Sequence, residues 1–341
     1  MIRHEELQMG RGPVIVWRAV RGADAPLASF CSWIVERRAE IDRVLIQSGG
    51  LLIRGFRALS DAGAFERLLL AAGSRLMEYV GGTSPRKMVG GRIYTATEVP
   101  GTYSIPLHQE MSYADSSPER IAFFCVQPAP RGGQTTVGDM RAITRSIDPA
   151  VLQRFKVRGG LQLRRNLPLP THVEGRPGVP KPWTEVFASE DPQQAERIAH
   201  AHGWRAQWEP DGSMTLWQDR RPAMRRHAVT GEEVWFNQVH IFAPAAALAW
   251  ARRDGRLDMA RRLEHARHNY PNLLDCFVFA DGGEVSDEDA LHLYDVMERE
   301  AVPLNWEPGD LLILDNVLAA HGRLRYDGPR RLLTGLIGEV T

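Results

Sequence analysis

A histidine and a glutamate stand two residues apart in the stretch PLHQEMSY, residues 106 to 113. If this stretch is a β-strand, the side chains of His108 and Glu110 point to one face, because side chains alternate along a strand with a period of two. An imidazole nitrogen and a carboxylate oxygen on one face could hold a single metal ion. The pair could therefore supply two of the ligands of a metal site.

The spacing alone is weak evidence for a metal. With 11 His and 42 acidic residues among 341, chance predicts about one match to a His-x-acid pattern. The chain contains three such pairs: His4/Glu6, His108/Glu110 and His172/Glu174. We expect no strand around the first pair, and the last lies in a proline-rich loop. Only the middle pair leads into a strand-rich block that could fix the geometry of metal ligands.

A third ligand is available in LLILDNVLAAHGR, where His321 follows a short apolar strand. Two His and one carboxylate leave coordination positions open and form the facial triad of non-haem iron(II) oxygenases. The same three side chains could hold a catalytic zinc ion. The triad alone therefore leaves an iron oxygenase and a zinc hydrolase open.

An anchor for a dicarboxylate co-substrate would separate these two readings. Arg331 follows His321 after a DGP turn, and a planar guanidinium binds a carboxylate through paired hydrogen bonds. Thr135, after the RGG turn, could donate a hydroxyl to the same carboxylate. Because the chain uses Arg almost everywhere in place of Lys, Arg331 alone could equally form an ordinary surface ion pair.

Composition indicates an ordinary globular protein and narrows its partners. The chain is 43% hydrophobic and 25% charged, with a formal net charge of zero, so no broad field favours nucleic acid or a membrane surface. Cys31, Cys125 and Cys276 are odd in number and widely spaced, as is typical of reduced thiols. The N-terminus has no apolar signal segment, and no apolar run is long enough to span a bilayer. We therefore expect a cytoplasmic protein.

The periodicity of apolar residues predicts how the chain is organised. It predicts a helix from Leu27 to Ile46, a buried strand at LLIRGF, and a second helix capped by Ser60. From about residue 90, short β-like runs broken by Pro and Gly predict a sandwich, barrel or jelly roll. Residues 157 to 185 predict a long loop that covers the site. Without a clear linker, we expect a single domain over residues 1–341, with a loop-rich and helical insertion at about 141–275.

Five separated blocks resemble the TauD/TfdA family of iron(II)- and 2-oxoglutarate-dependent dioxygenases: PLHQEMSY, PAPRGGQTTVGDMR, HAVTGEEVWFNQVHIF, WEPGDLLILDNVLAAHGR and YDGPRRLL. PWTEVF, WFNQ and AHGR resemble its SyrP-like branch of amino-acid oxygenases. The resemblance implies a mainly β fold with helical insertions (α+β), built on a double-stranded β-helix or jelly-roll core.

The resemblance also implies roles for residues. Iron(II) would be held by His108, Glu110 and His321. The far carboxylate of 2-oxoglutarate would be held by Arg331 and Thr135, with Arg330 as an alternative in register. In the taurine-type branch a further Arg, four residues after the 2-oxoglutarate Arg, binds the substrate's sulfonate. Gly335 stands at that position here, which argues against a sulfonate substrate.

Family chemistry would consume 2-oxoglutarate and dioxygen and give succinate, carbon dioxide and a hydroxylated or desaturated product. Thr97, Glu98, Asn237 and Arg323 are candidate substrate residues. Glu98 would suit an amine and Arg323 a carboxylate, although for Glu98 and Asn237 the role of an ordinary paired polar residue is slightly favoured. His240, beside WFNQV, is expected to be a core or pocket-lining histidine rather than a ligand.

We therefore expect an oxygenase of an amino acid or amino-acid-derived group in secondary metabolism, with the substrate either free or tethered to a carrier protein. A zinc hydrolase with the same triad would leave Arg331 and Thr135 without a role. A non-catalytic jelly-roll binding protein would not need the three ligands to converge. The sequence does not indicate the oligomeric state.

Overall fold

A computed structural model describes residues 1–9, 12–79, 84–114, 117–173, 181–269 and 274–340. The strands are β1 Arg3–Gln8, β2 Val14–Arg21, β3 Gly50–Arg54, β4 Ser74–Leu76, β5 Met88–Gly90, β6 Ile93–Thr95, β7 Ile105–His108, β8 Arg120–Gln127, β9 Arg131–Gly132, β10 Thr135–Asp139, β11 Leu161–Leu167, β12 Arg205–Trp208, β13 Met214–Arg221, β14 Met224–Arg226, β15 Glu233–Trp235, β16 Cys276–Phe279, β17 Val302–Leu304, β18 Leu311–Asp315, β19 Ala319–Arg323, β20 Tyr326–Asp327 and β21 Arg331–Val340. The helices are α1 Leu27–Glu36, α2 Arg38–Ser48, α3 Ala62–Ala71, α4 Met140–Ser146, α5 Pro149–Val157, α6 Pro170–Val173, α7 Trp183–Val186, α8 Pro192–Ala201, α9 Val239–Phe242, α10 Pro244–Arg253, α11 Leu257–Asn269 and α12 Asp287–Arg299. Among these helices none is long and apolar enough to cross a bilayer.

The larger sheet is buried on both faces. Its strand order is β1-β2-β3-β18-β8-β21-β6-β5, with β4 pairing β21. Strands covered on both sides read as near-continuous apolar runs, as in LLILD of β18 and IAFFCV of β8. On β8, Phe123 and Cys125 point to the interior, whereas Ala122 and Phe124 pack against the helical layer of α1, α2 and α3.

A smaller sheet faces the interior side of the larger one. Its strand order is β17-β10-β19-β7, and its own outer face packs on α12. The two sheets touch where the Phe123 and His321 rings lie 5.1 Å apart between centroids. Gly322 lets β7 approach β19, because a Cβ at this position would lie 2.5 Å from the Ile105 carbonyl oxygen. Two facing sheets, antiparallel except for the parallel pair β2 and β3, form the jelly roll, so the predicted fold class is confirmed.

Between β10 and β17 the chain builds a third sheet, of order β12-β13-β11-β16. Leu167, Trp183 and Trp204 belong to an apolar cluster that packs on this sheet. The prediction of a loop through residues 157 to 185 is wrong at β11, because its apolar residues are buried against β13 and β16. The single-domain organisation with an insertion at about 141–275 stays a prediction.

Three local predictions near the N-terminus need correction. The helix expected from Leu27 to Ile46 is two helices that meet at Arg37. The cap of α3 is Asp61, whose Oδ1 accepts from the Ala64 N–H at 2.9 Å, and not Ser60. Around His4/Glu6 there is a strand, β1, paired with β2. Both side chains of that pair contact Trp17, with the His4 ring 4.4 Å from it and Glu6 Oε2 accepting its indole N–H at 3.0 Å.

Candidate active site

The structure brings together the three residues that the sequence singled out as ligands. His108 ends β7 and His321 lies on β19 as its cross-strand partner, with ring centroids 4.4 Å apart. Glu110 Oε2 lies 3.7 Å from His321 Nε2. One ligand atom from each residue lies within 4.8 Å of the other two. No other group of three or more His, Cys, Asp or Glu side chains within the described ranges is placed to hold a metal ion.

Glu110 reaches the site through a fixed turn and not through strand alternation. β7 ends at His108, and Glu110 lies in the turn that follows. The Asn316 side chain holds this turn, since its Oδ1 accepts from the Glu110 N–H at 2.7 Å and its Nδ2 donates to the Glu110 carbonyl at 2.9 Å. Gln109 is fully buried and donates to two carbonyls of neighbouring segments. The expectation that one strand carries both ligands is therefore corrected.

The protonation states of His108 and Glu110 suit metal binding. Burial and the neighbouring His321 lower the pKa of His108 to about 3, so its imidazole is neutral near neutral pH. Burial opposes the ionisation of Glu110, yet the Arg86 guanidinium at 2.6 Å helps to lower its pKa to about 2. His108 Nδ1 donates to the Pro106 carbonyl at 2.9 Å, which leaves Nε2 as the ligand atom. A neutral imidazole and an ionised carboxylate are the forms that bind metals.

A small cavity opens on one side of the triad. Besides His108 and His321, its lining includes Thr135, Arg330 and Leu332. The Arg330 Nε donates to the Gly133 carbonyl at 3.1 Å, which orients the guanidinium, and burial lowers the pKa of Arg330. A guanidinium and a hydroxyl at one end and metal ligands at the other suit a short dicarboxylate.

Arg331 does not reach this cavity. It opens β21, pairs with Gln127 of β8 and is exposed. Alternation along the strand places Leu332 in the core between the sheets and Leu333 in the core under the helices. Arg330 lines the cavity together with Leu332, so the structure contradicts the expected position of Arg331 in it. The alternative register, Arg330, is the one that faces the cavity.

Counting from Arg330 instead of Arg331 also moves, by one residue, the position that the resemblance assigns to a sulfonate-binding Arg. Counting four residues from Arg330 gives Thr334, a buried residue whose hydroxyl donates to the Ala122 carbonyl at 3.0 Å. Gly335 lies against Leu69 of α3, on the helical side of the sheet. Neither Thr334 nor Gly335 is a cation. The argument against a sulfonate substrate is therefore the same whether residues are counted from Arg330 or from Arg331.

A larger cavity, of about 500 Å³, adjoins the triad and shares Ser84, Ile105 and His108 with the small one. Glu110 also forms part of its wall. The rest of its lining contains both apolar and charged residues. The apolar part includes Ile241, Phe242, Met259, Leu263 and Leu274, and the charged part includes Arg165, Lys181, Glu185 and Asp275. The metal ligands thus stand between two cavities of different size and polarity.

Three of the predicted substrate residues do not lie together in one cavity. Thr97 lines the small cavity and not the large one. Glu98 lines the large cavity, and its carboxylate lies 3.4 Å from the Lys87 ammonium. Asn237 is absent from both linings and uses its amide to bond the Ala223 carbonyl and the Val239 N–H. Asn237 is therefore an ordinary paired polar residue.

Arg323, the fourth, lines the small cavity but is already engaged. Its two terminal nitrogens donate to the carbonyls of Val99, Pro100 and Tyr103 at 3.1 Å or less. The side chain fixes the loop before β7, while its buried Nε has no hydrogen-bond partner among the described residues. The expectation that Arg323 binds a substrate carboxylate stays a prediction.

The other histidines that entered the sequence argument lie away from the triad. His240 is fully buried, and its Nε2 lies 2.6 Å from the Leu107 carbonyl, behind β7. His172 lies in α6, and Glu174 lies outside the described residues.

Sequence reasoning missed Arg86, Asn316 and Arg165. In an Arg-rich chain the two arginines carry no distinguishing signal. Asn316 stands directly after the strand LLILD, where a side-chain amide at the end of a buried strand could have been recognised as a backbone clamp.

A jelly roll that holds two His and one carboxylate between its sheets defines the class of non-haem iron oxygenases. A family model described as "Taurine catabolism dioxygenase TauD, TfdA family" matches residues 16–337. The chain belongs to this family and is accordingly an iron(II)- and 2-oxoglutarate-dependent dioxygenase. The zinc hydrolase and the non-catalytic binding protein are thereby set aside.

Similar proteins agree with this assignment. The dapdiamide synthesis protein DdaC of Enterobacter agglomerans is 29% identical over 300 residues, which cover 88% of this chain and 85% of that protein. The clavaminate synthase-like protein At3g21360 of Arabidopsis thaliana is 28% identical over 313 residues, covering 91% and 88%. The structure of PvcB from Pseudomonas aeruginosa, an Fe, alpha-ketoglutarate dependent oxygenase, aligns with a TM-score of 0.51 at 15% identity, over 99% of this chain and 92% of that one. This structural likeness shows a shared fold.

Replacing Asn316 by Ala should loosen the turn that carries Glu110. We expect the free energy of unfolding to fall by about 2 kcal/mol or more, because buried backbone groups lose their partners. Affinity for Mn(II), a redox-stable substitute for iron(II), should fall at least tenfold in calorimetric titration. Asn237→Ala is the control: it removes another buried amide, with two hydrogen bonds where Asn316 has three, and should also lower stability with unchanged Mn(II) affinity. Equal Mn(II) affinities in the two variants would contradict the role of Asn316.

Proposed function

We propose that this dioxygenase oxidises an unactivated C–H bond of an amino acid or a small amino-acid-derived molecule. The observation that carries the proposal is the position of the triad between two cavities. The small cavity, with Arg330 and Thr135, has the chemistry for 2-oxoglutarate. The large cavity, with apolar and charged walls, has the chemistry for a substrate that is both charged and aliphatic.

His108, Glu110 and His321 would hold the iron(II) ion. Bound there with 2-oxoglutarate and dioxygen, it supplies the oxidation of a C–H bond, and the co-substrate leaves as succinate and carbon dioxide. Arg330 binds the far carboxylate of 2-oxoglutarate through paired charged hydrogen bonds. The Thr135 oxygen accepts the Trp306 indole N–H at 3.0 Å, so its own proton is available to the same carboxylate.

The remaining task of the protein is to place the substrate and keep water out. Phe123 and Leu332 give the small cavity an apolar lining beside the ligands. Ile241 and Phe242 do the same in the large cavity, where a substrate would present one C–H bond to the metal side.

The similar proteins support a biosynthetic role. The name of DdaC refers to dapdiamide synthesis, and PvcB is described as part of an isonitrile synthetic pathway. We place this chain in the synthesis of a specialised amino-acid-derived metabolite. We assign it to a reducing compartment such as the cytoplasm, because Cys31, Cys125 and Cys276 are all unpaired.

Arg330→Ala should weaken 2-oxoglutarate binding while leaving Mn(II) binding intact. A charged paired hydrogen bond contributes about 1.5–3 kcal/mol, so the dissociation constant should rise roughly 10- to 100-fold. Calorimetric titration of Mn(II)-loaded protein with 2-oxoglutarate measures this. Arg331→Ala is the control on the adjacent residue, with its side chain outside the cavity, and should bind as the wild type does. A larger loss in Arg331→Ala than in Arg330→Ala would overturn the assignment.

The proposed reaction is tested by succinate release. Protein reconstituted anaerobically with iron(II) should, on admission of air with ascorbate and 2-oxoglutarate, form succinate, and an accepted amino acid should accelerate it. Glu110→Ala should reduce the rate to background, since it removes one of three ligands. Absence of succinate in the wild type with every candidate amino acid would contradict the proposal.

A further inference from the structure

Arg165 is a buried guanidinium with an incomplete set of partners. It lies on β11, 2% exposed, and lines the large cavity. Its Nε and Nη1 have no hydrogen-bond partner among the described residues. The nearby carboxylate of Asp275 lies 3.8 Å from Nε, beyond hydrogen-bond range, and its Oδ1 is occupied by the Asn166 N–H at 2.8 Å. Buried charged groups without such partners are costly, and because Arg165 lines the large cavity, an anion bound there would offset its charge.

Lys181 lines the same cavity as Arg165, whereas Arg86 lines the small cavity. Lys181 is partly buried, and its ammonium donates to the Ser84 carbonyl at 3.3 Å. Burial, and then the charges of Arg165 and Arg86, lower the pKa of Lys181, while the Glu185 carboxylate opposes this lowering. Arg86 is already paired with the ligand Glu110. An anion in the cavity beside Arg165 and Lys181 would relieve this repulsion.

A different arginine in the cavity is satisfied in another way. Arg256 lies between the rings of Tyr103 and Trp250, at 4.6 and 4.4 Å from their centroids. Its Nη1 contacts the Met259 sulfur at 2.7 Å. The two aromatic faces, together with the Asp254 carboxylate 3.8 Å from Nε, offset its charge, although two of its nitrogens also lack hydrogen-bond partners within the described part of the chain. Arg256 therefore provides a matched comparison for Arg165.

We propose that Arg165, assisted by Lys181, binds a free carboxylate of the substrate at the far end of the large cavity. The inference rests on the proposed function, because it assigns a substrate class to the same site. A guanidinium anchor of this kind selects a free acid, because a carboxyl group joined to a carrier protein as a thioester carries no charge. The substrate is then an unattached amino acid or derivative, held by its carboxylate while its aliphatic part lies along Ile241 and Phe242 toward the ligands.

The test compares acids with uncharged counterparts. The probes are the proteinogenic L-amino acids and their carboxamides, titrated by calorimetry into metal-free protein and into protein loaded with Mn(II) and N-oxalylglycine. For at least one amino acid, the wild type should bind the acid at least tenfold more tightly than the amide. Arg165→Gln should remove this preference by weakening only the acid, and Arg256→Gln should keep it. Binding of Mn(II) and N-oxalylglycine is measured in a separate titration. A wrong oxygenase assignment would appear as missing binding in that titration, and not as a loss of the preference for an acid over its amide.

Asp275→Asn keeps the inference testable if Arg165→Gln does not fold. Neutralising Asp275 removes the competing carboxylate beside Arg165, so acid binding should become tighter. The inference is overturned if no acid binds better than its amide, if Arg165→Gln retains the preference, or if Arg256→Gln abolishes it. Weaker or unchanged acid binding in Asp275→Asn would likewise overturn it.

Discussion

The site depends on keeping the Glu110 carboxylate ionised where water does not reach it. Its side chain is 5% exposed, and that of its partner Arg86 is 3% exposed. Taking both charges out of water is costly, and their attraction offsets the cost only when the geometry is tightly held. Here Asn316 fixes the Glu110 backbone, and the Tyr79 ring lies 4.8 Å from the Arg86 guanidinium. Before any metal arrives, the carboxylate is thus already charged and in place.

The two-sheet architecture explains why the ligands lie where they do. His108 and His321 face each other on adjacent strands of the smaller sheet, which fixes their separation through backbone hydrogen bonds. Arg330 lies just before β21 of the larger sheet and lines the small cavity. Segments between β10 and β17 contribute to the lining of the large cavity, because Arg165 lies on β11 and Lys181 just before α7. The two facing sheets therefore position His108 and His321, while the segments between β10 and β17 help to shape the large cavity.

How far the sequence predicts this arrangement differs from residue to residue. His108, Glu110 and His321 could be chosen because a strand-rich context separated one His-x-Glu pair from two others. Arg330 and Arg331 are adjacent and chemically identical, and the pairing of β21 with β8 shifts register just after Arg331, so counting residues could not assign the inward side chain. Arg165 lies in a segment whose Pro, Gly and Arg content indicates a loop. Its position depends on the pairing of β11 with β13, more than 45 residues away, and with β16, more than 100 residues away. The local sequence pattern does not indicate such distant pairings.

The central claim is that His108, Glu110 and His321 bind iron(II) between a co-substrate cavity and a substrate cavity. A crystal structure of the anaerobic complex with iron(II) and 2-oxoglutarate tests it most directly. We predict a metal ion on Nε2 of both histidines and on the Glu110 carboxylate, with the far carboxylate of 2-oxoglutarate on Arg330 and the large cavity left open. A metal ion held without one of these three residues, or 2-oxoglutarate lying against Arg165 in the large cavity, would contradict the account.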